Sequence, residues 1–151
     1  MRMRMDSVKW GCLMLFILLA GCAPMQKTVI TDTNLSVLKG TWEGWTTIGI
    51  GGGKGVLTRL VIRNDTVPVQ GSVTFNNLPS DLALNIPADH KTAGNDVTVN
   101  FSEGKISPAG TIVAQSGKNS LELTYFEGEK PKIKGQFWYW AMKGTFDVTR
   151  K

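Results

Sequence analysis

Apolar and polar positions alternate with a period of two along most of the chain. The alternation is clear over residues 56–63, 97–101 and 121–125, and turn-forming residues such as glycine, asparagine, aspartate and proline separate these runs. A period of two is typical of a half-buried β-strand, whereas a surface helix repeats its apolar positions about every 3.6 residues. No useful helical period appears after Val37, so the pattern predicts an all-β domain of eight or nine short strands.

The loops predicted between these strands are short, which favours pairing between neighbours in chain order. We therefore expect an antiparallel up-and-down barrel of about eight strands, with a two-sheet β-sandwich as the alternative. Closure into a barrel also removes the exposed strand edges that an open sheet must protect. One predicted strand is the short apolar run of Leu82, Leu84 and Ile86, which ends at Pro87.

The first 22 residues follow a different pattern. Arg2, Arg4 and Lys9 precede the apolar run 10–20, and Leu19-Ala20-Gly21-Cys22 ends that run. The run is about half the length of the ~20 residues that span a bilayer, so it predicts an N-terminal signal helix better than a permanent membrane span. The alternatives are a plain signal peptide with an incidental cysteine, and an uncleaved anchor.

Leu19-Ala20-Gly21-Cys22 resembles the lipobox of bacterial lipoproteins. The resemblance implies cleavage before Cys22 and attachment of diacylglycerol and a further acyl chain, such as palmitate, to that residue. The residue that follows is Ala23 and not aspartate, which implies a lipid anchor in the cell outer membrane, with the periplasmic face favoured over the external one. Two or more acyl chains anchor a protein stably.

This interpretation divides the chain into a signal peptide (1–21), a lipidated cysteine and tether (22–38) and a β-barrel domain (39–151). Three of the 17 basic and one of the 12 acidic side chains leave with the signal, so the formal net charge falls from +5 to +3. A mild positive charge does not indicate a nucleic-acid partner. Because Cys12 is removed and Cys22 carries lipid, the domain has no free thiol.

Groups that support catalysis are scarce. His90 is the one histidine in the chain, and it falls in a polar stretch, 87–96, that predicts a solvated surface loop. A lone histidine without a second histidine or a cysteine makes a poor metal site. We therefore expect no catalytic residue, no metal, no cofactor and no enzymatic activity.

An aromatic run, Phe137-Trp138-Tyr139-Trp140, is the strongest indication of a binding surface. Alternation along a strand sends Phe137 and Tyr139 to one face of the sheet, and Trp138 and Trp140 to the other. The outer pair is either covered by the segment 35–38 or exposed as an interface with a partner or the membrane. The candidates for ligand or partner contact are Trp42, Trp45, Phe137, Trp138, Tyr139 and Trp140.

Gly40-Thr41-Trp42 resembles the Gly-x-Trp opening of the lipocalin-like (calycin) β-barrels. In that family the tryptophan closes one end of the barrel beneath an arginine, and Arg150 is the candidate for this role. The family's Thr-Asp-x-x-Tyr segment is absent. The functional hypothesis is a lipid-anchored envelope barrel that binds a small apolar or amphipathic ligand. The alternative is a structural or interaction lipoprotein with a filled core, which contacts another envelope component through outer aromatic residues.

Overall fold

The computed structural model describes residues 25–49, 53–84, 86–91, 94–140 and 142–151, so the predicted signal helix and Cys22 lie outside the described residues. Nine of the twelve regular elements among the described residues are strands and the other three are helical turns of three or four residues, which confirms the all-β prediction. The strands are β1 (Gln26–Lys27), β2 (Gly40–Ile48), β3 (Lys54–Ile62), β4 (Val69–Asn76), β5 (Val97–Ile106), β6 (Ile112–Ser116), β7 (Asn119–Glu127), β8 (Lys132–Tyr139) and β9 (Met142–Arg150).

Strands β2 to β9 form a closed barrel. Each pairs antiparallel with the next in the chain, and β2 also pairs with β9. The up-and-down barrel is therefore confirmed over the sandwich. The ninth strand, β1, is additional: Gln26 and Lys27 pair with Glu127 and Phe126 of β7, beyond the point where the shorter β6 begins.

The barrel interior is built by the alternation seen in the sequence. Glycine makes room where two large rings meet: a Cβ on Gly135 would lie 2.1 Å from the ring of Phe146. Phe137 packs near the same ring, with 6.4 Å between the two centroids. The buried apolar side chains form one continuous cluster, which extends beyond the strands to the segments that cover the two ends of the barrel.

One end of the barrel, here the Trp42 end, is closed by the segment before β2. A 3₁₀ turn spans Leu35–Leu38, and both Leu35 and Leu38 are buried. The indole of Trp42 donates a hydrogen bond of 2.8 Å to the carbonyl of Leu38. The alternative that this segment covers the outer tryptophans of β8 is therefore wrong, because the segment bonds to the inward-facing Trp42 while Trp138 and Trp140 remain half-exposed. Residues 25–38, assigned above to the tether, lie on the barrel.

The opposite end, here the His90 end, carries the connection between β4 and β5. The strand predicted for Leu82, Leu84 and Ile86 is wrong: a single helical turn, α1 (Ser80–Ala83), replaces it. Pro79 precedes α1 as its N-cap residue, and Asp81 lies near the N-terminus of α1, where a negative charge is favourable. The spacing of four between Leu82 and Ile86 suits a helical turn as well as a strand. Ala83 and Ile86 are buried and Leu84 is 79% exposed.

Candidate functional site

The barrel wall is open between β5 and β6. These strands pair at Lys105–Val113 and Ile106–Ile112, and the described residues show no further pairing between them. Beyond that point a cavity of about 320 Å³ opens between the two strands. Its walls come from β4, β5, β6, β7 and β8, and from His90 in the connection after β4. The open pairing therefore gives a side entrance to the barrel interior.

The inner wall of the cavity is apolar. Phe75 of β4 and Phe137 of β8 are buried, and their ring centroids lie 4.9 Å apart. Ala114 of β6 is also buried, and its small side chain leaves space between β6 and the rings. The remaining apolar residues of the wall are Val73, Val99, Phe101 and Leu121.

The mouth of the cavity is polar. Its lining includes the exposed Ser102 and Glu103 of β5, and the exposed Gln115 and Ser116 of β6. Side-chain amides and hydroxyls both donate and accept hydrogen bonds, so they can orient the polar part of a bound molecule. An apolar wall with a few polar groups at one side is the usual composition of a small-molecule site.

His90 and Tyr139 meet at the edge of the cavity. The Tyr139 hydroxyl and His90 Nδ1 form a hydrogen bond of 2.6 Å, and the two rings are 5.8 Å apart in an edge-on arrangement. The direction of the bond depends on the imidazole tautomer. The prediction of a solvated His90 is wrong, because the side chain is half-buried against β8. The contact ties the β4–β5 connection to the barrel.

The six aromatic candidates do not converge on one site. Phe137 and Tyr139 point inward and line the cavity, and Trp138 lies at its rim while remaining 52% exposed. Trp140 is 50% exposed in the β8–β9 turn, where its backbone φ of 53° lies in the left-handed region. Trp45 is 64% exposed on the outer face of β2. The structure therefore places three of the six candidates at the cavity.

Trp42 is fully buried at the other end of the barrel, beside Arg150. The guanidinium of Arg150 lies 4.7 Å from the centroid of the Trp42 ring, and the two residues are also paired across β2 and β9. Arg150 donates hydrogen bonds to the carbonyls of Val37 and Lys39. The arginine thus joins the last strand, the tryptophan and the segment before β2.

Tyr125 completes this cluster. Its ring meets that of Trp42 edge-on, with 6.1 Å between the centroids. Burial raises the pKa of the Tyr125 phenol; Glu127 raises it further and Arg150 opposes the rise. These contacts close the Trp42 end with packed side chains and separate it from the cavity.

Sequence reasoning missed most of the cavity wall. Phe101 and Leu121 fall in runs that predict strands, yet together with Phe75 they lie on three different strands, and only closure of the barrel brings them together. Among the described residues, no group of three or more histidines, cysteines, aspartates or glutamates is placed to hold a metal ion. The cavity therefore offers apolar contact and hydrogen bonding.

Comparisons with known proteins found no matching family, no matching curated protein and no matching solved structure. Within the described parts of the chain, no helix is long and apolar enough to cross a membrane.

Proposed function

We propose that this protein is a lipid-anchored β-barrel of the cell envelope that binds a small apolar or amphipathic ligand. The observation that carries the proposal is the cavity between β5 and β6. Its volume of about 320 Å³ lies within the range of small-molecule sites, roughly 300–1,000 Å³. Such a space suits a compact ligand rather than a long lipid chain.

The division of the cavity into an apolar wall and a polar mouth supports the amphipathic character of the ligand. Contact with Phe75, Phe101 and Phe137 removes apolar surface of the ligand from water, which is the main source of affinity. Polar groups of the ligand then lie near Ser102 and Gln115 at the mouth, where hydrogen bonds set the orientation. Tyr139, held by His90, adds a hydroxyl at the edge of the wall.

The position of the N-terminal segment supports an anchor at the Trp42 end. β1 pairs with the last residues of β7, close to Tyr125. Met25 is three residues after Cys22, and three residues reach at most about 11 Å. A lipid on Cys22 therefore holds the Trp42 end close to the membrane surface, and the mouth of the cavity toward the His90 end remains accessible.

Calorimetric titration with benzyl alcohol tests ligand binding. The full-length protein is held in a nonionic detergent, and matched micelles without protein give the background. Ala114→Phe fills the cavity from β6, so we expect affinity to fall by about tenfold or more. Val113→Phe, on the outer face of the same strand, is the matched control and should bind like the unmodified protein.

Circular dichroism and thermal unfolding establish that both variants retain the barrel. Binding that is equally strong in Ala114→Phe places the probe outside the cavity and contradicts the proposal. Absence of binding above the micelle background contradicts it as well. Loss of binding in Ala114→Phe together with unchanged binding in Val113→Phe supports the proposal.

A second candidate function is an interaction lipoprotein, which the half-exposed rings of Trp138 and Trp140 favour. In this case the rings contact another envelope protein at the His90 end. Replacing both tryptophans with serine should abolish co-purification of that protein while the barrel stays folded. Unchanged assembly and membrane association of the double variant would contradict this candidate.

A further inference from the structure

The lining of the cavity contains a carboxylate and no lysine or arginine among the described residues. Glu103 is the one aspartate or glutamate among the described residues that line the cavity. Glu103 is exposed, and no described cation forms an ion pair with it. A carboxylate without a neutralising partner attracts a cationic ligand and repels an anionic one.

A β-bulge places this carboxylate at the mouth. Val69 of β4 pairs with Gly104 and Gly71 pairs with Phe101, so Ser102 and Glu103 together face the single residue between Val69 and Gly71. An extra residue in one strand bends that strand and reorients its side chains, and such bulges are frequent beside functional sites. Both bulge residues line the cavity.

The aromatic rings of the cavity wall also attract a cation. The faces of Phe75, Phe101 and Phe137 carry the negative part of the ring quadrupole, which attracts a cation within about 6 Å. One lysine lies near the rim of the cavity: the ammonium of Lys143 is 5.6 Å from the ring centroid of Trp138. Both of those side chains are exposed on the outer face of β8 and β9.

Resting on the ligand-binding function proposed above, we propose that the cavity selects an amphipathic cation. The ligand class is a protonated amine or a quaternary ammonium group attached to a compact apolar body. The cationic group lies between Glu103 and the rings, and the apolar body fills the space beside Ala114. A carboxylate, sulfonate or phosphate head finds Glu103 at the mouth and no compensating cation in the described lining.

Three probes with the same phenylmethyl body and different heads test the selection: benzyltrimethylammonium, benzyl alcohol and phenylmethanesulfonate. Each is titrated by calorimetry into the full-length protein in nonionic detergent. We expect the ammonium to bind about fivefold more tightly than the sulfonate, or better, with the alcohol between them. Glu103→Gln should reduce this preference to about twofold, since the ring contribution remains.

Glu129→Gln is the matched control, because it removes a carboxylate in the turn between β7 and β8, at the Trp42 end. It should leave the preference unchanged. Equal affinities of the three probes, or a tighter sulfonate, would overturn the charge selection while leaving ligand binding in place. A preference that survives Glu103→Gln in full would also overturn it. If no probe binds above the micelle background, the proposed function itself fails.

Discussion

At the scale of single residues, Arg150 joins parts of the barrel that are far apart in the chain. It stacks on Trp42 and donates to the carbonyls of Val37 and Lys39, so the last strand holds the segment that closes the barrel. The resemblance to lipocalin-like barrels implied a contact between Trp42 and Arg150, and the structure brings the two side chains together.

Replacement of Arg150 with leucine should lower the free energy of unfolding by about 1–2 kcal/mol, because a cation–π contact and hydrogen bonds to carbonyls are lost. Urea titration followed by tryptophan fluorescence measures the change. Arg59→Leu is the control, because Arg59 forms an exposed ion pair with Glu43 on the outer face, with a nitrogen–oxygen distance of 2.8 Å. The free energy of unfolding of Arg59→Leu should fall by less than about 1 kcal/mol. Equal losses for the two variants would contradict the role given to Arg150.

Tyr125 predicts an alkaline limit to stability. Its pKa in the folded protein is raised, mainly by burial, above the value near 10 of an exposed tyrosine. The folded state therefore holds the phenolic proton more tightly than the unfolded state does. The stabilising contribution is complete below about pH 10 and is lost as the pH rises through the folded pKa. The range from about pH 9 to about pH 11 surrounds the ordinary tyrosine pKa. Over this range the unfolding free energy of Tyr125→Phe should fall less than that of the unmodified protein. An identical fall in the two proteins would contradict this assignment.

At the residue scale, the sequence predicted the alternation of the aromatic run but not which side of it lies inside the barrel. Alternation predicted that Phe137 and Tyr139 face away from Trp138 and Trp140. The structure confirms this for Trp138 within β8, whereas Trp140 lies beyond the end of the strand and is exposed in the β8–β9 turn. The alternation did not indicate which pair is inside, because both faces carry large rings. The contact of His90 with Tyr139 spans 49 positions in the chain, so no local pattern predicts it.

At the scale of elements, the strands were predictable and the site was not. The run at 97–101 predicted β5, but the site depends on where the pairing of β5 with β6 stops and where the bulge at Ser102 and Glu103 lies. Both depend on contacts between strands and not on the pattern within one strand. The helical turn Ser80–Ala83 was missed for a related reason, since the spacing of four between Leu82 and Ile86 fits both element types.

The glycine of β8 gives an element-scale prediction. A Cβ at Gly135 would lie 2.1 Å from the Phe146 ring, so Gly135→Ala forces the ring away and should destabilise the barrel by about 2–4 kcal/mol. Gly55→Ala is the matched control in β3, because the nearest atom, in the ring of Trp45, is 3.9 Å away. Its effect should stay within about 1 kcal/mol. Thermal unfolding compares the two, and similar losses would show that Gly135 does not make room for Phe146.

At the scale of the whole molecule, the two ends of the barrel differ. The Trp42 end is closed by packed side chains and by the N-terminal segment, whereas the wall toward the His90 end opens between β5 and β6. The anchor at Cys22 stays a prediction from the resemblance of Leu19-Ala20-Gly21-Cys22 to a lipobox, and mass measurement of the mature N-terminus tests it. Cleavage before Cys22 with added diacylglycerol is expected, and Cys22→Ser should abolish the addition.

The central claim is that the cavity between β5 and β6 holds a small ligand in the cell. Native mass spectrometry of the full-length protein, purified from the cells in which it is made, tests this most directly. We expect a bound species of additional mass that dissociates on gentle activation, persists in Val113→Phe and disappears in Ala114→Phe. Protein without a bound species in all three samples, or a bound species that Ala114→Phe retains, would contradict the claim.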